Sequence, residues 1–249
     1  MIAFWRSSVG KKNIVAVTGA ILIGYLILHM LGNLNSAFGP GADEARVDWY
    51  AHWLRDFGEP LLPHAFVLWA VRVILLSALV IHITGIVQLT KRNRAARPAN
   101  FPAKRIGRSF ESMAMLGTGV LVLAFIIFHI LQFTTLSIHV TPVEEGAVYS
   151  NLYYAFQKWY FLVIYVAALL LIGMHLRHGV WSLFQTLGFD NPNRNPKLRH
   201  GSTVFVLVLI VGFGAIPVLF FTDVLDPPNA AAVITSSIGA VGSLTGGVA

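Results

Sequence analysis

The chain has 249 residues, of which 56% are hydrophobic and only 12% are charged, and its mean hydropathy is +0.69. Soluble domains carry about 25% charged residues, so this composition predicts an integral membrane protein. The chain has no cysteine, which excludes disulfides, zinc–thiolate sites and iron–sulfur clusters bound by this chain alone. The net charge of +7 comes from basic residues that lie between long apolar runs, so we expect no nucleic-acid partner.

Five apolar segments are long enough to cross a bilayer. They lie near residues 13–33, 65–90, 111–136, 158–186 and 202–222. About 20 helical residues span the hydrocarbon core, and continuous apolar runs of this length form helices rather than barrel strands. The expected fold class is therefore all-α, with a bundle of five transmembrane helices formed by residues 1–228. Pro217 predicts a kink in the fifth span.

The distribution of charge predicts the orientation of the chain. With the N-terminus in the cytoplasm, fourteen of the eighteen basic residues fall in inner segments, and nine of the eleven acidic residues fall in outer ones. Lysine and arginine near helix ends mark the cytoplasmic side. We therefore expect a multi-pass protein of the cytoplasmic (inner) membrane, with the N-terminus inside and the C-terminus outside.

Two segments on the predicted outer side, residues 43–57 and 229–249, differ from the spans in the pattern or size of their apolar residues. In residues 43–57, one helical face carries Val47, Tyr50, Leu54 and Phe57, which predicts an amphipathic helix in the outer membrane interface. The last segment, 229–249, is low in complexity and has few large apolar side chains, so we expect an outer tail rather than a sixth span. The sequence shows no evident internal repeat.

One histidine lies inside each of the first four spans, namely His29, His82, His129 and His175. Burying a polar side chain in a membrane is costly, so a functional role is the default interpretation of these histidines. Their depths predict two pairs. At about 1.5 Å per residue, His29 and His129 lie roughly 6–10 Å below the outer surface, and His82 and His175 lie roughly 12–17 Å above the inner surface.

Two neutral imidazoles that face each other across a helix bundle are the ligands that bis-histidine haem iron requires. Each Nε2 forms one axial bond, and the iron then has no open position for oxygen. The histidines therefore favour two b-type haems, an outer one and an inner one. Small residues that would admit a flat macrocycle are spread along the same helices: Gly19, Gly24, Gly85, Gly117, Gly119 and Gly173.

Other ionisable residues lie close to these positions. His178 follows His175 by three residues, near the same helical face, and competes with it as a ligand. Alternatively, His178 and Arg177 could contact haem propionates or lipid phosphates. Arg72 lies about 10 Å below the outer surface, where it could neutralise a propionate of the outer haem or extend to the interface.

The segments around the histidines form recognisable motifs, namely Leu28-His29-Met30-Leu31-Gly32-Asn33, Ile81-His82-Ile83-Thr84-Gly85, Phe128-His129-Ile130, His175-Leu176-Arg177-His178-Gly179-Val180-Trp181-Ser182 and Phe184-Gln185-Thr186-Leu187-Gly188. In these segments the chain resembles the cytochrome b membrane anchor of succinate dehydrogenases and fumarate reductases, in the five-helix, single-polypeptide, di-haem form. The resemblance covers roughly residues 5–222, and the motif of the fourth helix is its most specific part.

The resemblance implies that His29 and His129 hold a distal haem and that His82 and His175 hold a proximal one. It places the ligand of the fourth helix at His175 rather than at His178. It also implies a flavoprotein subunit, which interconverts succinate and fumarate in the tricarboxylic acid cycle, and an iron–sulfur subunit docked on the cytoplasmic face. This chain would be the quinone-reactive subunit of the complex, carrying electrons between the iron–sulfur subunit and menaquinone or ubiquinone. The basic loop Lys91–Arg108 suits such a docking surface, although positive-inside topology also explains it.

Two other functions remain open. Another di-haem cytochrome b, b561-like or hydrogenase-linked, would differ in the motif of the fourth helix and in the number of helices. A histidine-lined transporter or proton channel would need acidic residues along its path. The spans contain no Asp, and Glu111 lies at an inner end, which argues against transport.

A quinone site would need a lateral pocket with hydrogen-bonding groups beside a haem. Candidates near the outer haem are Asn33, Asn35, Tyr50, His52, Trp53 and His64, and candidates near the inner haem are Trp181, Ser182 and Gln185. We favour the outer side, since two haems in series are otherwise hard to explain.

Overall fold

The computed structural model describes residues 7–41, 43–96, 110–139, 145–189 and 191–228. These residues form helices and turns without any strand, which confirms the all-α class. Their α-helices are, in chain order, α1 (Ser8–Asn33), α2 (Arg46–Asp56), α3 (Phe66–Ala95), α4 (Phe110–Phe133), α5 (Val148–Phe156), α6 (Trp159–Thr186) and α7 (Asn195–Phe221), and a short 3₁₀ helix, Leu34–Phe38, follows α1.

The five predicted spans correspond to α1, α3, α4, α6 and α7, each of which is long and apolar enough to cross a membrane. Several helices extend beyond the predicted limits, since α1 begins at Ser8, α3 continues to Ala95 and α7 begins at Asn195. The added turns carry lysine and arginine. These residues are good helix formers, so the helices continue past the apolar run into the polar flanks.

Helix α4 is shorter than the predicted third span, and α7 contains the proline at which a kink is predicted. Helix α4 ends at Phe133, three residues before the predicted limit. There the chain turns through Leu136, which has a left-handed φ of 53°. The amide of Ser137 then bonds to the carbonyl of Leu131 at 2.8 Å. Helix α7 continues past Pro217, and a kink at that residue stays a prediction.

The chain divides into two compact units, each assembled from parts of several helices. The first consists of the described residues of Met1–His29, Phe66–Val122 and Leu170–Ile210. The second consists of those of Met30–Ala65, Leu123–Leu169 and Val211–Ala249. Of the four histidines, His29, His82 and His175 therefore belong to the first unit, and His129 belongs to the second.

Glycine allows close contact between helices of the first unit. A Cβ atom added at Gly85 of α3 would lie 2.6 Å from Cγ2 of Val15 on α1. A Cβ atom added at Gly173 of α6 would lie 2.6 Å from Cδ1 of Ile210 on α7. Real Cβ atoms essentially never come so close, so a larger residue at either position would require the facing side chain to shift, as expected of small residues at membrane helix interfaces.

The second unit has an aromatic core that α2 and α5 share with α6 and α7. The predicted amphipathic helix is present as α2, which buries Val47 in this core and leaves Trp49 and Trp53 exposed. Tyr149 of α5 and Phe220 of α7 are fully buried, and their rings meet edge to face with centroids 5.2 Å apart. The core thus attaches the two short helices, α2 and α5, to the spanning helices of this unit.

Helix α5 was not predicted, because its nine residues lie close to the start of the long apolar span that follows. Its first turn is capped from α2, where Oδ1 of Asp48 accepts the backbone N–H of Tyr149 at 2.9 Å. The hydroxyl of Tyr149 donates to the carbonyl of Asp226 at 2.8 Å, and burial raises the pKa of Tyr149 to about 12. The proposed tail, 229–249, and the loop from residue 97 to 108 lie outside the described residues.

Candidate functional site

The imidazole of His82 on α3 is held against α1 through its Nδ1 atom. This atom lies 3.1 Å from the carbonyl oxygen of Val15 and 3.2 Å from Oγ1 of Thr18. The Thr18 hydroxyl donates to the carbonyls of its own helix, to Ile14 at 2.8 Å or Val15 at 3.1 Å, so its oxygen acts as the acceptor toward His82. Since both neighbours of Nδ1 are acceptors, the ring carries its proton on Nδ1 and a lone pair on Nε2.

The residue after Thr18 leaves room for this ring. A Cβ atom at Gly19 would lie 3.3 Å from Cε1 of His82, which is tighter than nine in ten real contacts of this kind. Thr18 and Gly19 therefore act together, because the hydroxyl binds Nδ1 while the missing side chain admits the edge of the ring. We call this pair of residues a Thr-Gly bracket.

The same arrangement holds His175 of α6 against α4. Nδ1 of His175 lies 3.3 Å from Oγ1 of Thr118, whose hydroxyl donates to the carbonyl of Ala114 at 3.1 Å or of Met115 at 3.2 Å. A Cβ atom at Gly119 would again lie 3.3 Å from Cε1 of the histidine. With its own hydrogen on a carbonyl of α4, the Thr118 oxygen is placed to accept an Nδ1–H of His175, and in that tautomer the ring presents the lone pair of Nε2.

The two brackets belong to an internal repeat. Residues 18–33 align with residues 118–133 without a gap, and the aligned pairs include Thr18 with Thr118, Gly19 with Gly119, Tyr25 with Phe125 and His29 with His129. The prediction that the chain has no internal repeat is therefore wrong. At most of the other aligned positions both residues are aliphatic, as in any apolar helix, so the repeat is recognised from only a few positions.

An aromatic ring accompanies the outer histidine in both copies of the repeat. Tyr25 stacks on His29 with ring centroids 5.3 Å apart and an angle of 13° between the planes. Phe125 lies near His129 with centroids 5.9 Å apart and an angle of 30°. In each case the aromatic residue lies four positions earlier, which places it on the same face of the helix.

The inner pair is brought together within the first unit. The imidazoles of His82 and His175 are close enough to interact electrostatically, and His178 interacts with His175 in the same way. His178 lies one turn further along α6 and is half-buried. The two histidines whose Nδ1 atoms contact a threonine, His82 and His175, are also the two that the sequence predicts as the inner pair.

Tyr165 and Gln132 form a buried polar chain with His129 in the second unit. Nδ1 of His129 lies 3.0 Å from the hydroxyl of Tyr165, which donates to Oε1 of Gln132 at 2.9 Å. Because the hydroxyl hydrogen points to Gln132, the Tyr165 oxygen accepts the Nδ1–H of His129. Nε2 of Gln132 is buried without a hydrogen-bond partner. Tyr165 and Gln132 were not predicted, because their only signal in the sequence is their polarity inside an apolar span.

The arginines near the histidines make contacts on their own units. Arg72 is exposed on α3, with its guanidinium 4.8 Å from the ring centroid of Trp69. Nε of Arg177 donates to Oγ1 of Thr203 at 3.1 Å. The expected contacts of Arg72, Arg177 and His178 with propionates stay predictions, as does the outer pairing of His29 with His129.

Three of the candidate quinone residues, Asn35, His52 and His64, are engaged in local polar contacts. The amide of Asn35 donates to carbonyls of the preceding turn at 3.2 and 3.0 Å. Nδ1 of His52 lies 2.7 Å from Glu44, and Nδ1 of His64 lies 3.1 Å from Glu59. An outer quinone site therefore stays a prediction from the sequence.

Fold and site together define a multi-pass, all-helical membrane protein with histidines inside its spanning helices. Comparison of the chain with protein-family models, curated proteins and solved structures found no match. The geometry of these histidines and the resemblance of the segments around them are therefore what indicate a function.

Proposed function

We propose that this chain is the di-haem cytochrome b membrane anchor of a succinate:quinone oxidoreductase. The observation that supports it most is the arrangement of the inner pair, in which Nδ1 of His82 and Nδ1 of His175 each contact a threonine hydroxyl oxygen. A metal-ligating histidine almost always donates its other ring N–H to a fixed acceptor, which sets the tautomer and the orientation of the ring. Thr18 and Thr118 are such acceptors.

The residues at the inner pair fit a b-type haem. Two neutral imidazoles are the donor set of bis-histidine ligation. The backbone at Gly19 and Gly119 admits rings that a Cβ atom would crowd. When bound, a haem of this kind supplies reversible one-electron transfer. The protein contributes two ligands, His82 and His175, whose tautomer is set before the metal binds.

For the outer haem we propose His29 and His129 as ligands. Nδ1 of His129 contacts the hydroxyl of Tyr165, as Nδ1 of each inner histidine contacts the hydroxyl of a threonine. The aromatic rings that accompany both outer histidines limit the rotation of the imidazoles. At this depth Arg72 would neutralise a propionate, and at the inner end His178 would contact a propionate or a lipid phosphate.

The proposed partners are a flavoprotein subunit and an iron–sulfur subunit on the cytoplasmic face, with menaquinone or ubiquinone reacting at the outer side. The charge asymmetry of the chain supports an inner docking surface and a location in the cytoplasmic membrane. The basic residues at the described inner helix ends are Lys11, Lys12, Lys91, Arg92, Arg94, Arg177, Arg194, Lys197 and Arg199.

The test is purification of the complex from native membranes in a mild detergent. We expect a flavin-containing subunit and an iron–sulfur subunit to copurify, and added succinate to reduce the b-type haem absorbance. His175→Ala should remove the inner haem and abolish reduction of quinone by succinate. His200→Ala, which changes an exposed histidine of α7, is the matched control and should leave both unchanged. A haem protein that copurifies with neither subunit and is not reduced by succinate would contradict the proposal.

A further inference from the structure

We infer that Thr18 and Thr118 are positioning residues for the two inner histidines, and that their hydroxyls tune the donor strength of Nε2 in His82 and His175. Because this role is defined toward haem ligands, it rests on the proposed function. The resemblance assigns no role to either threonine.

The first support is the direction of the hydrogen bonds. Each threonine donates its hydroxyl hydrogen to a carbonyl of its own helix, so that only the oxygen remains for the imidazole. Each contact joins two helices, α1 to α3 through Thr18 and α4 to α6 through Thr118. Both threonines are buried, with 6% of their surface exposed, so water does not replace the hydroxyl if it is removed.

The second support is the recurrence of the arrangement. A threonine inside a spanning helix commonly binds the carbonyl four residues earlier, as Thr186 does with Ser182 at 2.8 Å, and this bond alone indicates no function. Thr18 and Thr118 add a contact to a histidine of another helix, at equivalent positions of the repeat. Each is followed by a glycine that admits the same histidine ring.

The expected chemical effect follows from the polarity of the bond. An Nδ1–H that is donated to an oxygen makes the imidazole more basic, so Nε2 becomes a stronger donor to ferric iron. Stabilising the ferric state lowers the midpoint potential of the haem. Removing the acceptor should therefore raise the potential.

The two threonines should differ in the size of this effect. Nδ1 of His82 has a second acceptor in the carbonyl of Val15 at 3.1 Å. Among the residues that the structure describes, Thr118 is the acceptor that Nδ1 of His175 reaches. Loss of the Thr118 hydroxyl should therefore have the larger effect.

The experiment is a redox titration of the purified complex carrying Thr118→Val or Thr18→Val, with electron paramagnetic resonance spectra of the oxidised haems. Valine keeps the shape of the side chain and removes the hydroxyl. Thr118→Ser is the rescue variant, because serine restores the acceptor. Thr186→Val is the matched control, because it removes a hydroxyl that bonds within its own helix in the same unit. The inner haem is identified as the component lost in His175→Ala.

We expect Thr118→Val to raise the potential of the inner component and change its spectrum, Thr18→Val to raise it less, and Thr118→Ser to restore it. The outer component and the Thr186→Val complex should match wild type. Loss of the inner haem alone in Thr118→Val, with retention in Thr118→Ser, would also support the role. Unshifted potentials, or equal changes in Thr186→Val, would overturn it while leaving the proposed function intact. A wild-type chain without haem would instead overturn the proposed function.

Discussion

The hydroxyl oxygen of Thr118 lies 3.3 Å from Nδ1 of His175, and one repeat earlier the same contact joins Thr18 to His82 at 3.2 Å. The pair α1 and α3 and the pair α4 and α6 thus have the same arrangement. In each pair the first helix carries a Thr-Gly bracket, and the second carries the histidine that contacts it. The repeat explains why two inner histidines on different helices have the same tautomer. The effect of changing a bracket residue can be compared with that of changing a nearby residue of the same type that does not contact the histidine.

The first prediction compares two glycines of α4. Gly119→Ala should disturb the inner haem, because the new Cβ would lie 3.3 Å from Cε1 of His175 and the ring would have to move by a few tenths of an ångström. Gly117→Ala should leave it unchanged, since nothing lies within 4 Å of a Cβ there. Where space allows, this substitution stabilises a helix by roughly 0.5–1 kcal/mol. Redox titration and thermal unfolding of both variants make the measurement, and equal effects would contradict the bracket.

The second prediction concerns the independence of the two haems. His129→Ala should remove the proposed outer haem and leave the inner one largely bound, because the proposed inner ligands, His82 and His175, lie on other helices and belong to the other compact unit. Redox titration should then retain one component and lose the other. Loss of both haems from a folded, membrane-inserted chain would show that the pairs are not independent.

The third prediction concerns the polar chain of the second unit. Tyr165→Phe should raise the potential of the outer haem, because the Nδ1–H of His129 loses its acceptor. It should also lower stability by about 1–3 kcal/mol, since Gln132 is buried and would lose the bond at its Oε1. Tyr160→Phe on the same helix is the control, because its ring is only half-buried. Identical potentials in wild type and Tyr165→Phe would exclude this role.

The sequence alone predicts the spanning helices and their histidines but not the residues that contact those histidines. The spans and their histidines are local signals, since a run of about 20 apolar residues predicts a helix wherever it occurs. The partners of the histidines are not local, because a threonine among aliphatic residues does not reveal which helix lies beside it. Tyr165 and Gln132 were missed for this reason. Helix α5 was missed because its short sequence acquires a fixed position only through Asp48 and the aromatic core.

The fourth prediction concerns the cap that Asp48 provides for α5. Burial raises the pKa of this carboxyl, although the backbone N–H groups of Tyr149 and Val148 oppose the shift. Since the folded state favours the protonated form, the stability of the α2–α5 contact should decrease as the pH rises above the ordinary value of 3.8.

Two variants test this cap. Asp48→Asn should keep the hydrogen bond, remove the pH dependence and be at least as stable as wild type at neutral pH. Asp48→Ala should lose about 1 kcal/mol, because no side-chain oxygen then caps the helix. Hydrogen exchange of the α5 amides between pH 4 and 8 measures both effects. Equal destabilisation by the two substitutions would show that the oxygen of Asp48 does not support α5.

The haem content of the purified protein decides whether this chain holds two b-type haems through four histidines. A pyridine haemochrome assay, with the protein quantified by amino-acid analysis, should give two haem b per chain. The variant with both His82→Ala and His175→Ala should keep only the outer haem and give one. A wild-type value near one would contradict the two-pair arrangement, and a value near zero would contradict the assignment of the chain as a cytochrome b.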